Sequence, residues 1–128
     1  MEGAGMVIDT SVFIEFLRAG DKTKTTLYQI PDHEFLLISS VTLYELLMGA
    51  RSDEKINDIE LLTDDIDILP FNEEVARKAA DIYHQLRKSN HMIEFRDIFI
   101  GATCIVNNVP IKTLNKKHFS RIEGLIIK

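Results

Sequence analysis

The stretch Met6-Val7-Ile8-Asp9-Thr10-Ser11-Val12-Phe13-Ile14 decides how this chain is read. Its three leading apolar residues suit a short strand, and the polar trio that follows is the residue set favoured where a helix begins. The same sequence of signals returns along the chain. Further strand candidates are Phe35 to Ile38, Ile66 to Leu69, Val109 to Thr113 and Leu125 to Ile127. Between them lie helix candidates over about 10–19, 22–29, 41–50, 53–62, 73–88 and 95–106. Apolar runs alternating with amphipathic stretches predict an α/β fold, a parallel sheet of about five strands joined by crossover helices.

The best-marked helix is the one over 73–88. Asn72 is a good N-cap, Glu73 and Glu74 sit at the positive end of the dipole, and Arg87 and Lys88 close the last turn. Val75, Ala79, Ile82 and Leu86 form one apolar stripe, so this helix reads as scaffold without chemistry.

Composition narrows the function classes. The chain has 128 residues, 45% hydrophobic and 27% charged, which is an ordinary globule of one domain's size. It is read as one domain over 1–128, with residues 1–5 as an unstructured start or an expression scar. No apolar run is long enough to span a membrane, and the opening residues lack the pattern of a signal peptide, so a cytoplasmic protein without membrane contact is expected. The single cysteine, Cys104, has apolar neighbours Ile105 and Val106 and reads as a small buried side chain. A net charge of −5 argues against binding nucleic acid through basic residues alone. Clustered carboxylates would instead recruit cations, and those would meet the phosphates.

Three acids stand in apolar surroundings. Asp9 directly follows a strand, the position outside strand ends where ligands bind in open parallel sheets, although it equally suits an N-cap. Glu45, in Val41-Thr42-Leu43-Tyr44-Glu45-Leu46-Leu47-Met48, has almost no hydrophilic face, although Thr42 and Glu45 also have capping-box spacing. Asp97 leads into Ile98-Phe99-Ile100-Gly101-Ala102-Thr103-Cys104-Ile105-Val106, a helix apolar all round and therefore buried, where the dipole favours an acid in the first turn. A buried carboxylate is costly unless paired, and a metal ion is one partner that keeps it ionised. Three oxygen-bearing acids without an accompanying Cys or His pattern suit Mg²⁺ or Mn²⁺ rather than zinc. His33, His84, His91 and His118 are too scattered to form a ligand set and read as surface or packing residues.

Residues 8–14, 38–50, 97–102 and Thr113-Leu114-Asn115-Lys116-Lys117-His118-Phe119 together resemble the successive blocks of a PIN domain, most nearly the VapC toxins of toxin–antitoxin pairs. The resemblance covers nearly the whole chain in the right order. It implies a three-layer α/β/α fold, an Mg²⁺- or Mn²⁺-dependent endoribonuclease, a homodimer, and inhibition by a VapB-like antitoxin. By the same resemblance Asp9, Glu45 and Asp97 are the catalytic and metal-binding acids, and Ser11 and Thr113 match polar positions that line the site. The chain departs from the family where many members carry a further acid: neither Asn115 nor His118, which are counted with the site-lining residues, is anionic. One or two metal ions therefore both stay open. Glu94, three residues before Asp97, is an alternative source of that charge but reads first as a surface residue. Arg96, Lys116, Lys117 and Arg121 are candidate phosphate contacts, with a solvated charged face as the plain alternative.

Two other acidic folds fail at named residues. A response-regulator receiver domain wants paired acids after the first strand and an aspartate closing the third, whereas this chain has Thr10-Ser11 and Leu69-Pro70-Phe71-Asn72. A haloacid-dehalogenase-type phosphatase wants a second aspartate where Ser11 stands. A catalytically weak RNA- or antitoxin-binding module on the same fold remains the alternative function.

Overall fold

The structure is a computed structural model and describes residues 5–128. Strand β1 (Met6–Ile8) runs into helix α1 (Thr10–Arg18), and β2 (Leu36–Ser39) runs into α3 (Ser40–Gly49) in the same way. Between them lie a 3₁₀ turn (Lys22–Lys24) and the single-turn helix α2 (Thr26–Gln29). The chain continues through α4 (Asp53–Thr63), β3 (Asp67–Leu69), α5 (Glu73–Ser89), α6 (Phe95–Val106), β4 (Ile111–Lys112) and α7 (Lys116–Phe119). Residues 1–4 of the expected unstructured start lie outside the described residues.

Among the described residues the sheet has four strands in the order β3-β2-β1-β4, every neighbouring pair parallel. This corrects the expected five. The candidate over 125–127 contributes one bridge, Ile127 beside Ile111. The Leu125 amide is engaged in a turn with the Ile122 carbonyl, leaving only the groups of Ile126 and Lys128 to bond Ile111. The predicted helix over 22–29 is likewise interrupted: Thr25 is extended, and its hydroxyl accepts from the Tyr28 amide to start α2 afresh.

Strand residues alternate between two cores, as the pleat requires. Val7 and Leu37 face a cluster containing Val75, Ala79, Ile82 and Leu86 of α5 with Ile98, Ile100 and Ala102 of α6. Met6, Ile8 and Ile38 face the opposite cluster, with Val12 and Phe13 of α1, Leu46 of α3 and Ile59 of α4. Helices therefore cover both faces and produce the three-layer α/β/α arrangement. The α5 stripe is buried as read from its spacing, Asn72 caps it through the Val75 amide, and Asn90 ends it in the left-handed region at φ 58°.

Gly5 belongs to the fold rather than to a loose start. Its φ is +95°, and a Cβ there would lie 2.6 Å from the Phe35 carbonyl oxygen, the group that accepts from the Met6 amide where β1 begins. Both the φ and the backbone contact exclude a side chain. Gly5→Ala should therefore lower stability by about 1–2 kcal/mol, read as a fall in melting temperature.

The strand order places β1 between β2 and β4, so the chain builds outward on one side of β1 and later returns to its other side. Where the order reverses, the crossover helices diverge and leave a crevice at the carboxyl ends of the strands. Asp9 follows β1 and Thr113 follows β4 at that point.

Candidate active site

Asp9 occupies the N-cap position of α1 but its side chain makes no capping hydrogen bond. Its Oδ2 instead accepts from the hydroxyls of Ser11 at 2.7 Å and Thr113 at 2.8 Å. Its own amide donates to the Lys112 carbonyl at 2.9 Å, tying the residue to the end of β4. The carboxylate is buried, 4% exposed, and its orientation is set by two hydroxyls rather than by helix amides. The capping explanation of Asp9 is thereby removed.

Glu45 loses its capping explanation too. The N-cap of α3 is Ser39, whose Oγ accepts from the Thr42 amide at 3.0 Å, so a box between Thr42 and Glu45 does not form. Glu45 lies further along α3, with Oε1 accepting from the Thr10 hydroxyl at 2.8 Å and Oε2 3.1 Å from Nη1 of Arg96. A run of hydroxyls stands behind it, Ser39 to Thr42 at 3.2 Å and Thr42 to Thr10 at 3.0 Å. Thr10 and Thr42 were not assigned to the site from sequence, because threonine at a helix start is ordinary and their partners are remote in the chain.

Asp97 sits in the first turn of α6, buried at 8% exposure. Burial, then the Asp9 carboxylate, then Glu94 push its pKa from 3.8 up to about 6, against the opposing pull of Arg96 and His118. The Nδ1 of His118 lies 3.9 Å from Asp97 Oδ2 and accepts, at 2.8 Å, from the side-chain amide of Asn115. That contact joins the two residues, so the block lacking a fourth acid is closed by a hydrogen-bonded amide–imidazole pair.

These groups converge on one cleft of about 180 Å³, lined by Asp9, Thr10, Ser11 and Ile14 from the first βα unit, Glu45 from α3, Glu94, Arg96 and Asp97 from the start of α6, and Asn115. Thr113 stands behind Asp9, and His118 behind Asn115. Glu94, read from sequence as a surface residue, reaches this cleft. Its Oε2 is 3.0 Å from Nη2 of Arg96. The four candidate phosphate contacts divide. Arg96 lines the cleft, Lys116 and Lys117 lie exposed on α7, and Arg121 donates to the Met92 carbonyl at 3.1 Å. Cys104 is fully buried, and burial pushes its thiol well above the ordinary range, away from nucleophile chemistry.

Among the described residues no three His, Cys, Asp or Glu side chains converge closely enough to grip a metal ion as they stand. The two oxygens of Glu45 are engaged by Thr10 and Arg96. Asp9 and Asp97 remain as a facing pair of buried carboxylates. A second, larger depression of about 280 Å³ adjoins the cleft between α1, α3 and α4, lined by Ile14, Leu17, Leu46 and Ile59 with Arg18 and Lys55, and it shares Ile14 and Glu45 with the acidic one.

Comparison with known proteins places the chain by its similarity in sequence and fold. The PIN domain family model matches residues 6–125. Ribonuclease VapC of Rickettsia bellii is 34% identical over 128 residues, covering 94% of this chain and 92% of that protein. Ribonuclease VapC1 of Methanocaldococcus jannaschii is 28% identical over 127 residues, covering 99% and 88%. Among solved structures, VapBC-1 of nontypeable Haemophilus influenzae superposes with a TM-score of 0.82 at 27% identity, covering 96% of each chain. DNA-bound VapBC of Salmonella typhimurium superposes with a TM-score of 0.86 at 21% identity, a likeness of fold, covering 98% of this chain and 97% of that one.

Proposed function

This chain belongs to the PIN domain family, and we propose that it is a metal-dependent endoribonuclease, the toxin of a VapBC-type toxin–antitoxin pair. The observation that carries the reading is the pair of buried carboxylates, Asp9 and Asp97, facing one cleft at the point where the strand order reverses. Folding sets Asp97 where its own burial and the Asp9 charge both oppose ionisation. A divalent cation is the partner that relieves both penalties, and an all-oxygen donor set suits Mg²⁺ or Mn²⁺.

Asp9 and Asp97 would hold the ion, with Glu45 as the third acid. When bound, Mg²⁺ or Mn²⁺ supplies positive charge beside the scissile phosphate and the means to activate water at neutral pH. The protein's own groups do the positioning. Ser11 and Thr113 fix the rotamer of Asp9, Thr10 orients Glu45, and Asn115 with His118 bounds the side of the cleft next to Asp97. The fuller reading includes RNA as substrate, a homodimer, a VapB-like antitoxin and work in the cytoplasm. Named VapBC complexes of the same fold support the antitoxin, and a partner seated in the adjoining groove would reach the acidic cleft through the shared Glu45. Exposed Tyr44, Met48, Phe71 and Phe95 offer apolar surface for pairing of two copies. Among the described residues no helix is long and apolar enough to cross a membrane.

Product ends test the chemistry. Attack of water that expels the 3′-oxygen leaves a 5′-phosphate and a free 3′-hydroxyl, whereas attack by the RNA's own 2′-hydroxyl leaves a 2′,3′-cyclic phosphate. Mass spectrometry of a cleaved RNA should show the first pair, with cleavage lost in excess EDTA and restored by Mn²⁺. A cyclic phosphate, or full activity in EDTA, overturns the metal-hydrolysis reading. Binding of RNA without any cleavage would favour the weak binding module instead.

A further inference from the structure

Arg96 stands where an acidic cleft would otherwise be bare of positive charge. Four carboxylates, Asp9, Glu45, Glu94 and Asp97, line the cleft with this single guanidinium. Its two terminal nitrogens meet different acids, Nη1 at 3.1 Å from Glu45 Oε2 and Nη2 at 3.0 Å from Glu94 Oε2. The two partners of the first pair differ in exposure. The Glu45 side chain is 10% exposed and depends on a counter-charge, whereas the Arg96 side chain is 53% exposed and keeps access to water. A buried carboxylate left alone is penalised heavily, while a half-exposed guanidinium exchanges partners at little cost.

We propose that Arg96 is a built-in competitor for the cation site: it holds Glu45 in the free protein and passes to an RNA phosphate when a divalent cation takes Glu45 over. This rests on the metal-dependent nuclease reading and adds a coupling to it. With Glu45 Oε1 already accepting from Thr10, a cation gains this third acid only as the Arg96 contact opens. The guanidinium so released from Glu45 still meets Glu94 through Nη2, and its Nη1 edge offers donors that match phosphate oxygens. Because each event frees the group the other needs, cation and phosphate strengthen one another's binding. An anionic backbone is thus admitted to an acidic cleft only together with the cation.

Calorimetric titration of Mn²⁺ into the whole chain, without RNA, tests the competition. Removing a charged partner of this kind should tighten Mn²⁺ binding in R96Q by about tenfold over the natural chain. Adenosine 5′-monophosphate serves as a phosphate probe that holds no cleavable diester. Mn²⁺ should tighten its binding to the natural chain, and this enhancement should vanish in R96Q. R96K, which keeps the charge but meets one carboxylate at a time, should fall between the two in Mn²⁺ affinity. Mn²⁺ binding that is equal or weaker in R96Q overturns the competition while leaving the nuclease reading intact, and should R96Q fail to fold, R96K is judged by the same criterion. Absence of Mn²⁺ binding from the natural chain, R96Q and R96K alike overturns both.

Discussion

Asp97→Asn should reduce RNA cleavage by about a thousandfold while leaving the metal-free protein as stable as the natural chain, or more stable, at neutral pH. The two halves of the result have one cause. Folding raises the Asp97 pKa from 3.8 to about 6, through burial first and the charges of Asp9 and Glu94 second. A carboxyl with a raised native pKa favours the fold while it is protonated. At the lowest pH it is neutral in both states and carries no penalty. As pH rises from 3.8 to about 6, the unfolded chain has released this proton while the native one still holds it, so stability falls. Above that window the whole penalty is in place, and a shift of this size on a buried carboxyl corresponds to something on the order of 2–3 kcal/mol.

Asparagine keeps the shape and omits the charge, so its melting temperature should lose most of that decline between pH 4 and pH 6. Thermal melts of the chelator-treated proteins across this range, beside a cleavage assay with Mn²⁺, make the check. A variant that is inactive and clearly less stable would identify Asp97 as a structural acid instead.

Phe13→Ala should do the reverse, lowering stability by about 3–5 kcal/mol while leaving the chemistry of the folded fraction nearly intact. Phe13 is fully buried, within the cluster formed by Met6, Ile8, Val12, Ile38, Leu46 and Ile59. Truncating the ring leaves a cavity among residues of α1, α3, α4 and the sheet. Such a loss is a large part of the 5–15 kcal/mol that an ordinary domain has in total. The cleft takes Thr10, Ser11 and Ile14 from the same helix but not Phe13. Urea unfolding should show a much lower midpoint, and turnover per folded molecule at low temperature should stay within a few-fold. A large loss of turnover at full folding would mean that the α1 backbone shifts with its core residue.

The layers were legible from sequence because they depend on local regularities. The α5 stripe of Val75, Ala79, Ile82 and Leu86, the Asn72 cap and the apolar runs at 6–8 and 36–39 each follow from spacing and propensity within a few residues. The two misjudged segments failed through equally local competition. Thr25 formed a new cap inside the stretch 22–29, and the turn at Leu125 took an amide that a fifth strand needed. The requirement for glycine at position 5 was not legible locally, since the carbonyl that leaves no room for a Cβ belongs to Phe35, thirty positions away.

By itself the sequence determined that Asp9 would stand at the mouth of a βα unit in an α/β fold, because it directly follows the buried strand β1, and that Asp97 would open a buried helix. Their partners came only with the tertiary structure. Asp9 is oriented by Thr113, 104 residues distant, and Glu45 by Thr10, 35 residues distant. Arg96, legible as a phosphate contact, is tied to Glu45 and Glu94, and Glu94, exposed as read, also lines the cleft. Periodicity reports which face of a helix meets water. Which carboxylate meets which cation is decided by the order of strands in the sheet, and that order sets electrostatic distances no local pattern contains.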